Sequence, residues 1–163
     1  MTAPETAVHR VYTTRSADET ITLGREVAAL LAPSRVLILR GDLGAGKTTL
    51  VKGIAAALDA AEPDEVTSPT FTLIHEYAGV SQFHGRGQRA GSAVTLYHLD
   101  LYRIDDEKQL ETLGIDDLIT PESIVLIEWG EKFPSIAARS NGEIAIETLT
   151  GEERRVSVTL AAA

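Results

Sequence analysis

At 163 residues with no cysteine, the chain is long enough to bury a sizeable core, and it carries neither a disulfide framework nor a Cys-ligated metal site. Its net charge of −9 argues against tracking a nucleic-acid backbone directly, because phosphate contacts need Lys and Arg. No direct DNA binding is expected, and any link to RNA runs through a partner. No apolar run approaches the length of a membrane span and MTAPETAVHR has no secretory core, so the expectation is a cytoplasmic protein with no membrane contact.

The simplest organisation is one domain over residues 1–163, with 1–8 and 161–163 loose. HRVYTT, residues 9–14, reads as a short strand. SADE, residues 16–19, has the form of a capping box. Ile21, Gly24, Val27, Ala28 and Leu31 follow at helical spacing, and Pro33 ends that helix. RVLILR, residues 35–40, is a short β-branched apolar run of the kind found in buried parallel strands. A glycine loop follows, then a helix over residues 47–58 with Leu50, Ile54, Ala57 and Leu58 on one face. FTLIHEY, residues 71–77, predicts a strand. Residues 78–93 are rich in Gly, Ser, Arg and Gln and read as an exposed excursion. VTLYHLD, residues 94–100, is a strand ending in a carboxylate. A short acidic helix is expected over 105–113. Residues 124–127 make the clearest buried strand, again ending in an acid. Residues 143–149 and 155–160 alternate as an antiparallel pair turned at TGEE. Strands and helices alternate early and strands dominate late. The fold class is therefore α/β: a three-layer domain whose mainly parallel sheet carries added antiparallel edge strands.

The loop GDLGAGKT, with Gly41, Gly46, Lys47 and Thr48 at fixed offsets, fills the pattern G-x-x-x-x-G-K-[ST]. Glycines let the backbone curl so that N–H groups point inward at phosphate oxygens. The following helix directs its positive end at the same anion. In such a loop Lys47 reaches the β- and γ-phosphates and Thr48 offers its hydroxyl to Mg²⁺. The bland alternative is a glycine turn capping a helix.

Phosphate chemistry of this kind needs a carboxylate near the metal at a strand's C-terminal end. Asp100 and Glu128 both qualify. Glu128 follows the more continuous apolar run; Asp100 is the more usual residue type. Both fit one metal, one of them directly and the other through water. Ser68, Pro69 and Thr70 precede a strand and resemble a switch segment that senses a γ-phosphate, although a plain turn uses the same residues. Arg103 reads as a partner of its acidic neighbours. His75 and His98 lie within strands and read as packed rather than catalytic. Trp129, the only tryptophan, reads as core or interface. The chain contains neither N-K-x-D nor T-K-x-D, so the usual carboxylate reader of guanine is missing and ATP is favoured over GTP.

Taken together, GDLGAGKTTL, TSPTFTLIHEY, LYHLDLYRI, QLETLGIDDLI and IVLIEWGE resemble the TsaE family, the P-loop ATPases of bacterial tRNA N6-threonylcarbamoyladenosine (t6A) biosynthesis. The likeness runs from about Ser16 to about Val158. It implies a subunit that binds ATP and Mg²⁺, hydrolyses ATP slowly and works with the TsaD and TsaB proteins. Those partners transfer the threonylcarbamoyl group to adenosine 37 of tRNA, so contact with tRNA is indirect. By that resemblance Leu43, Gly44, Ala45, Gly46, Lys47, Thr48 and Thr49 hold the nucleotide, and Thr48 and Glu128 ligate the metal. Asp100 lies beside metal and γ-phosphate, Thr70 belongs to the switch, and residues near Ser16, Ala17 and Gly151 flank base and ribose. Lys47, Asp100, Glu128 and Thr70 are then the candidate catalytic set. Two features depart from the family pattern: the long basic stretch 78–93, and Gly130 where many relatives have Pro. Two alternatives remain on residues alone. One is a small-molecule or nucleoside kinase with Arg86 and Arg89 on a lid; the other is an ATP sensor that does not hydrolyse.

Overall fold

The computed structural model describes residues 6–69, 72–83 and 91–162. Its centre is β2 (Arg35–Arg40), buried at four of six positions, and β5 (Ser123–Glu128), buried at all six. Strands this apolar need cover on both faces, which parallel sheets with flanking helices provide. β2 pairs in parallel with β5 and with β6 (Gly142–Thr148), and β5 pairs in parallel with β4 (Ala93–Asp100). Antiparallel strands complete both sides: β7 (Arg154–Ala161) and β1 (Thr6–Thr14) beyond β6, and β3 (Ile74–Val80) beyond β4. The seven-stranded order is β1-β7-β6-β2-β5-β4-β3. This is the expected α/β class, with a parallel centre and antiparallel edges.

Two helices cover one face. α1 (Ala17–Leu30) is capped by Ser16, whose hydroxyl accepts from the Glu19 N–H at 3.1 Å, while Glu19 reaches back to the Arg15 N–H at 3.3 Å. α2 (Lys47–Ala57) crosses it at glycines. A Cβ on Gly24 would lie 2.2 Å from the Gly53 carbonyl carbon, and one on Gly53 would lie 2.1 Å from the Ile21 oxygen. Backbone therefore meets backbone at this crossing, and α2 is drawn close over β2. Leu23, Val27, Leu31, Leu50, Ile54 and Leu58 pack here against Leu37, Leu39, Leu96 and Leu126. The opposite face is covered by α3 (Glu107–Thr112), α4 (Ile115–Leu118) and α5 (Pro134–Arg139), with Leu110, Ile115 and Ile136 against Val36, Val125 and Ile127.

The structure departs from the sequence expectations in several places. β1 starts at Thr6, not at residue 9, because Thr6 and Val8 pair with Ala161 and Leu160; Ala161 likewise belongs to β7 instead of a loose tail. β3 spans Ile74–Val80 instead of 71–77, so residues 78–80 are strand, not excursion. The small residues there serve a close approach. The Val80 N–H donates to the Leu58 carbonyl at 2.6 Å, and a Cβ on Gly79 would meet that oxygen at 2.5 Å. Residues 84–90, Arg86 and Arg89 among them, lie outside the described residues, and Ala93 belongs to β4. On α1, Thr20 and Leu23 are buried whereas Ile21 is half-buried. Thr20 can enter the core because its hydroxyl pairs with that of Thr14 at 2.7 Å. No helix among the described residues is long and apolar enough to cross a membrane.

Candidate functional site

The C-terminal ends of β2, β4 and β5 lie side by side, with Asp100 and Glu128 at paired register positions and Glu128 level with Leu39. The glycine loop leaves the end of β2 and enters α2. Gly44 and Gly46 adopt φ of 80° and 106°, a region that side chains strain. A Cβ on either would meet nothing within 4 Å, so glycine is required there by backbone conformation and the space beside the loop is open. α2 begins with no side-chain cap. The first N–H groups of a helix have no intrahelical acceptor, and Gly46 to Thr49, which carry them, line that space, an arrangement that attracts an anion.

A cleft of about 270 Å³ results, lined by Leu43, Gly44, Gly46, Lys47, Thr48, Thr49, Ser68, Asp100, Glu128 and Trp129. The structure thus brings Leu43, Gly44, Gly46, Lys47, Thr48 and Thr49 to one cleft with both acids and Ser68, whereas Ala45, 1% exposed, does not line it. Thr70 lies outside the described residues. Lys47, Asp100 and Glu128 are each about nine-tenths or more buried. The Lys47 ammonium donates to the Gly41 carbonyl at 2.7 Å, stands 3.5 Å from Glu128 Oε1 and lies 4.5 Å from the centre of the Trp129 ring. A buried cation is tolerable only with such partners. Asp100 Oδ1 accepts from the Tyr102 N–H at 2.9 Å, which turns the chain sharply after β4.

A hydroxyl and two buried carboxylates on one cleft wall form a hard oxygen donor set. Lys47 supplies one positive charge against two negative ones, so the set has both the chemistry and the residual charge to suit Mg²⁺. No cluster of three or more His, Cys, Asp or Glu with metal-holding geometry occurs among the described residues.

Beside the loop lies a smaller recess of 110 Å³, lined by Ala17, Thr20, Gly44, Gly46, Thr49, Glu152 and Arg154. Ser16 and Gly151 flank this recess without lining it. Ser16 spends its hydroxyl on the α1 cap, and Gly151 gives its carbonyl to Arg154 at 2.7 Å. Ala17 and Glu152 are the neighbours that reach the space.

Three further residues shape the site, two of which, Arg154 and Lys132, carry no signal in the sequence. Arg154 donates to the Ala45 carbonyl at 2.8 Å and so pins the loop to the turn between β6 and β7. Lys132 donates to the carbonyls of Leu101, Tyr102 and Ile104 at 3.3, 3.0 and 2.8 Å, which ties the segment after Glu128 to the segment after Asp100. His98 is fully buried, and its Nε2 lies 2.5 Å from Glu128 Oε2. It is packed, as expected, but packed onto the candidate metal ligand. Only its alternation with Asp100 along β4 could have signalled this. Trp129 follows Glu128 in the left-handed region, φ 64°, an uncommon conformation for a bulky residue and one found at functional sites. Its ring meets that of the exposed Tyr102 at a centroid distance of 5.3 Å.

Residues 14–156 match the family model described as threonylcarbamoyl adenosine biosynthesis protein TsaE. The chain is 36% identical to the tRNA threonylcarbamoyladenosine biosynthesis protein TsaE of Treponema pallidum, over 88% of this chain and 96% of that one. It is 34% identical to the protein of the same name from Bacillus subtilis, over 91% and 84% of the two chains. The Aquifex aeolicus protein is 42% identical over 72% and 74%. Among solved structures, Bacillus subtilis YdiB superposes with a TM-score of 0.65 at 28% identity, covering 98% of this chain and 90% of the other. With the loop, the paired acids and the sheet order in place, the chain belongs to the TsaE family and takes part in tRNA threonylcarbamoyladenosine biosynthesis.

Proposed function

We propose that this protein is an ATP-binding, slowly hydrolysing subunit whose nucleotide state controls its association with the TsaD–TsaB pair. The observation that carries this is the convergence of Lys47, Thr48, Asp100 and Glu128 on one cleft at the uncapped start of α2. The loop N–H groups and Lys47 bind the phosphates. Thr48 and Glu128 hold Mg²⁺, with Asp100 close by, and the ion when bound neutralises phosphate charge. Ser68 offers a hydroxyl on the same wall for orienting a water molecule. No arginine lines the cleft among the described residues. The charge that develops in phosphoryl transfer is then met by Lys47 and the metal ion without an arginine from the described lining, in keeping with slow turnover in isolation; an arginine of this kind is worth about 10³–10⁵ in rate. Trp129 and Tyr102, at the rim, register the nucleotide state on the surface that a partner meets. The transfer to adenosine 37 and the tRNA contacts belong to TsaD and TsaB, in keeping with this chain's charge of −9.

The test is ATP hydrolysis by the purified protein, alone and with a TsaD–TsaB pair, beside Lys47→Ala and Glu128→Ala. Slow basal turnover that the pair raises and both variants abolish is the expected result. Turnover indifferent to the pair but stimulated by a hydroxylated small molecule would instead make the protein a kinase.

A further inference from the structure

We propose that His98 is a positioning residue for Glu128: its imidazole holds one carboxylate oxygen so that the other is presented to a divalent cation. The proposal rests on the nucleotide and metal reading above and extends it to a residue with no place in the phosphate-loop pattern.

β4 faces α1 and α2 with Val94, Leu96, His98 and Asp100, of which Val94 and Leu96 are apolar core. A third apolar side chain at 98 would continue the pattern. Instead the position holds an imidazole with no exposed surface, Nε2 at 2.5 Å from Glu128 Oε2, and Nδ1 with no hydrogen-bond partner among the described residues. Burying a polar atom without a partner is costly, so the ring is poorly suited to a filler role. Its one hydrogen bond goes to Glu128. Nε2 carries the proton, because the carboxylate can only accept.

The two Glu128 oxygens are thereby divided. Oε2 belongs to His98, and Oε1 faces Lys47 at 3.5 Å. That second contact is the temporary one, since a lysine at this place in the loop pattern turns to phosphate when a nucleotide binds. Once Lys47 turns, His98 is the remaining side chain that holds the Glu128 carboxylate among the described residues. With it, Oε1 stays directed into the cleft. Without it, the buried carboxylate can turn about its side-chain torsions and faces the cation in several orientations. Outer partners that orient ligands in this way typically contribute about 10–100-fold to metal affinity.

The experiment compares the full-length protein with His98→Leu, which removes the donor, and His98→Gln, whose amide N–H can stand near the position of Nε2. Calorimetry measures ATP affinity in EDTA and then Mg²⁺ affinity of the ATP-loaded protein. The expected result is ATP affinity in EDTA within about twofold throughout, Mg²⁺ affinity lowered about tenfold or more in His98→Leu, and most of that loss recovered in His98→Gln. Unchanged Mg²⁺ affinity in His98→Leu overturns the proposal. So does equal loss in both variants, or a matching loss of ATP affinity in EDTA, since either outcome makes His98 a packing residue. Should His98→Leu not fold, proton NMR decides. A far-downfield imidazole N–H present in the unmodified protein and absent in Glu128→Ala supports the hydrogen bond, and its absence from the unmodified protein refutes it. If the unmodified protein binds no ATP with or without Mg²⁺, the functional reading itself falls, an outcome distinct from a His98 variant that behaves like the parent.

Discussion

Lys47 and Trp129 are in direct contact, the ammonium 4.5 Å from the centre of the indole ring. The residue that would seize a phosphate thus touches the chain's only tryptophan. Turning Lys47 toward a nucleotide removes a cation from the ring face, so emission from Trp129 should change as ATP binds. The change should saturate with the binding curve and be absent in Lys47→Ala at equal occupancy. Constant emission while calorimetry shows saturation would mean that the lysine does not turn.

Lys132 stitches together the segments that follow the two acids, through three carbonyls. Lys132→Met keeps the apolar stem and removes the donors. The residue is exposed although two of its three hydrogen bonds are partly buried, so the loss in stability should be modest, about 1 kcal/mol. The partner-stimulated rate should fall further than the basal rate, because the linked segments carry Tyr102 and Trp129. Urea unfolding with paired rate measurements checks this, and equal loss of both rates would assign Lys132 to stability alone.

Gly24→Ala and Gly53→Ala should each destabilise the protein severely. The added methyl would fall 2.2 Å or less from backbone atoms of the facing helix, and backbone cannot rotate away as a side chain can. The helices must separate, at a cost of about 3 kcal/mol or more. Denaturant midpoints are the measurement, and a loss below about 1 kcal/mol would show that the helices slide apart easily.

Tyr12, Tyr77 and Tyr97 are each held above the ordinary phenol range, chiefly by burial, with Glu26, Glu65 and Glu76 respectively adding to the effect. The folded state therefore keeps protons that the unfolded chain releases above about pH 10. Stability is insensitive to these groups below that pH and falls as pH rises through the folded values. Ultraviolet titration should show these phenolates forming at higher pH in the folded protein than in the urea-unfolded chain, and coincident titration curves would contradict this.

The phosphate loop, both acids and Ser68 were legible in sequence because each is local: a spacing, or the last residue of an apolar run. Residues 78–80 read as part of an excursion because small residues look like loop when their neighbour in space is unknown. Gly79 is small on account of Leu58, some twenty positions earlier in the chain. Arg154 was invisible for the same reason, since its contact with Ala45 spans 109 positions.

Sequence by itself determined the chemistry available: a loop that must curl, a lysine and threonine at fixed offsets, and two strands ending in acids. These follow from backbone conformation and periodicity, which act over a few residues. Tertiary structure alone decided which groups meet. Parallel pairing of β4 with β5 sets Asp100 beside Glu128 and swings His98 onto the same carboxylate. Lys132 reaches across to the neighbouring strand's exit. Such meetings depend on strand order and register, which arise from burying two opposite faces of one sheet at once and leave no mark in the spacing of residues along the chain.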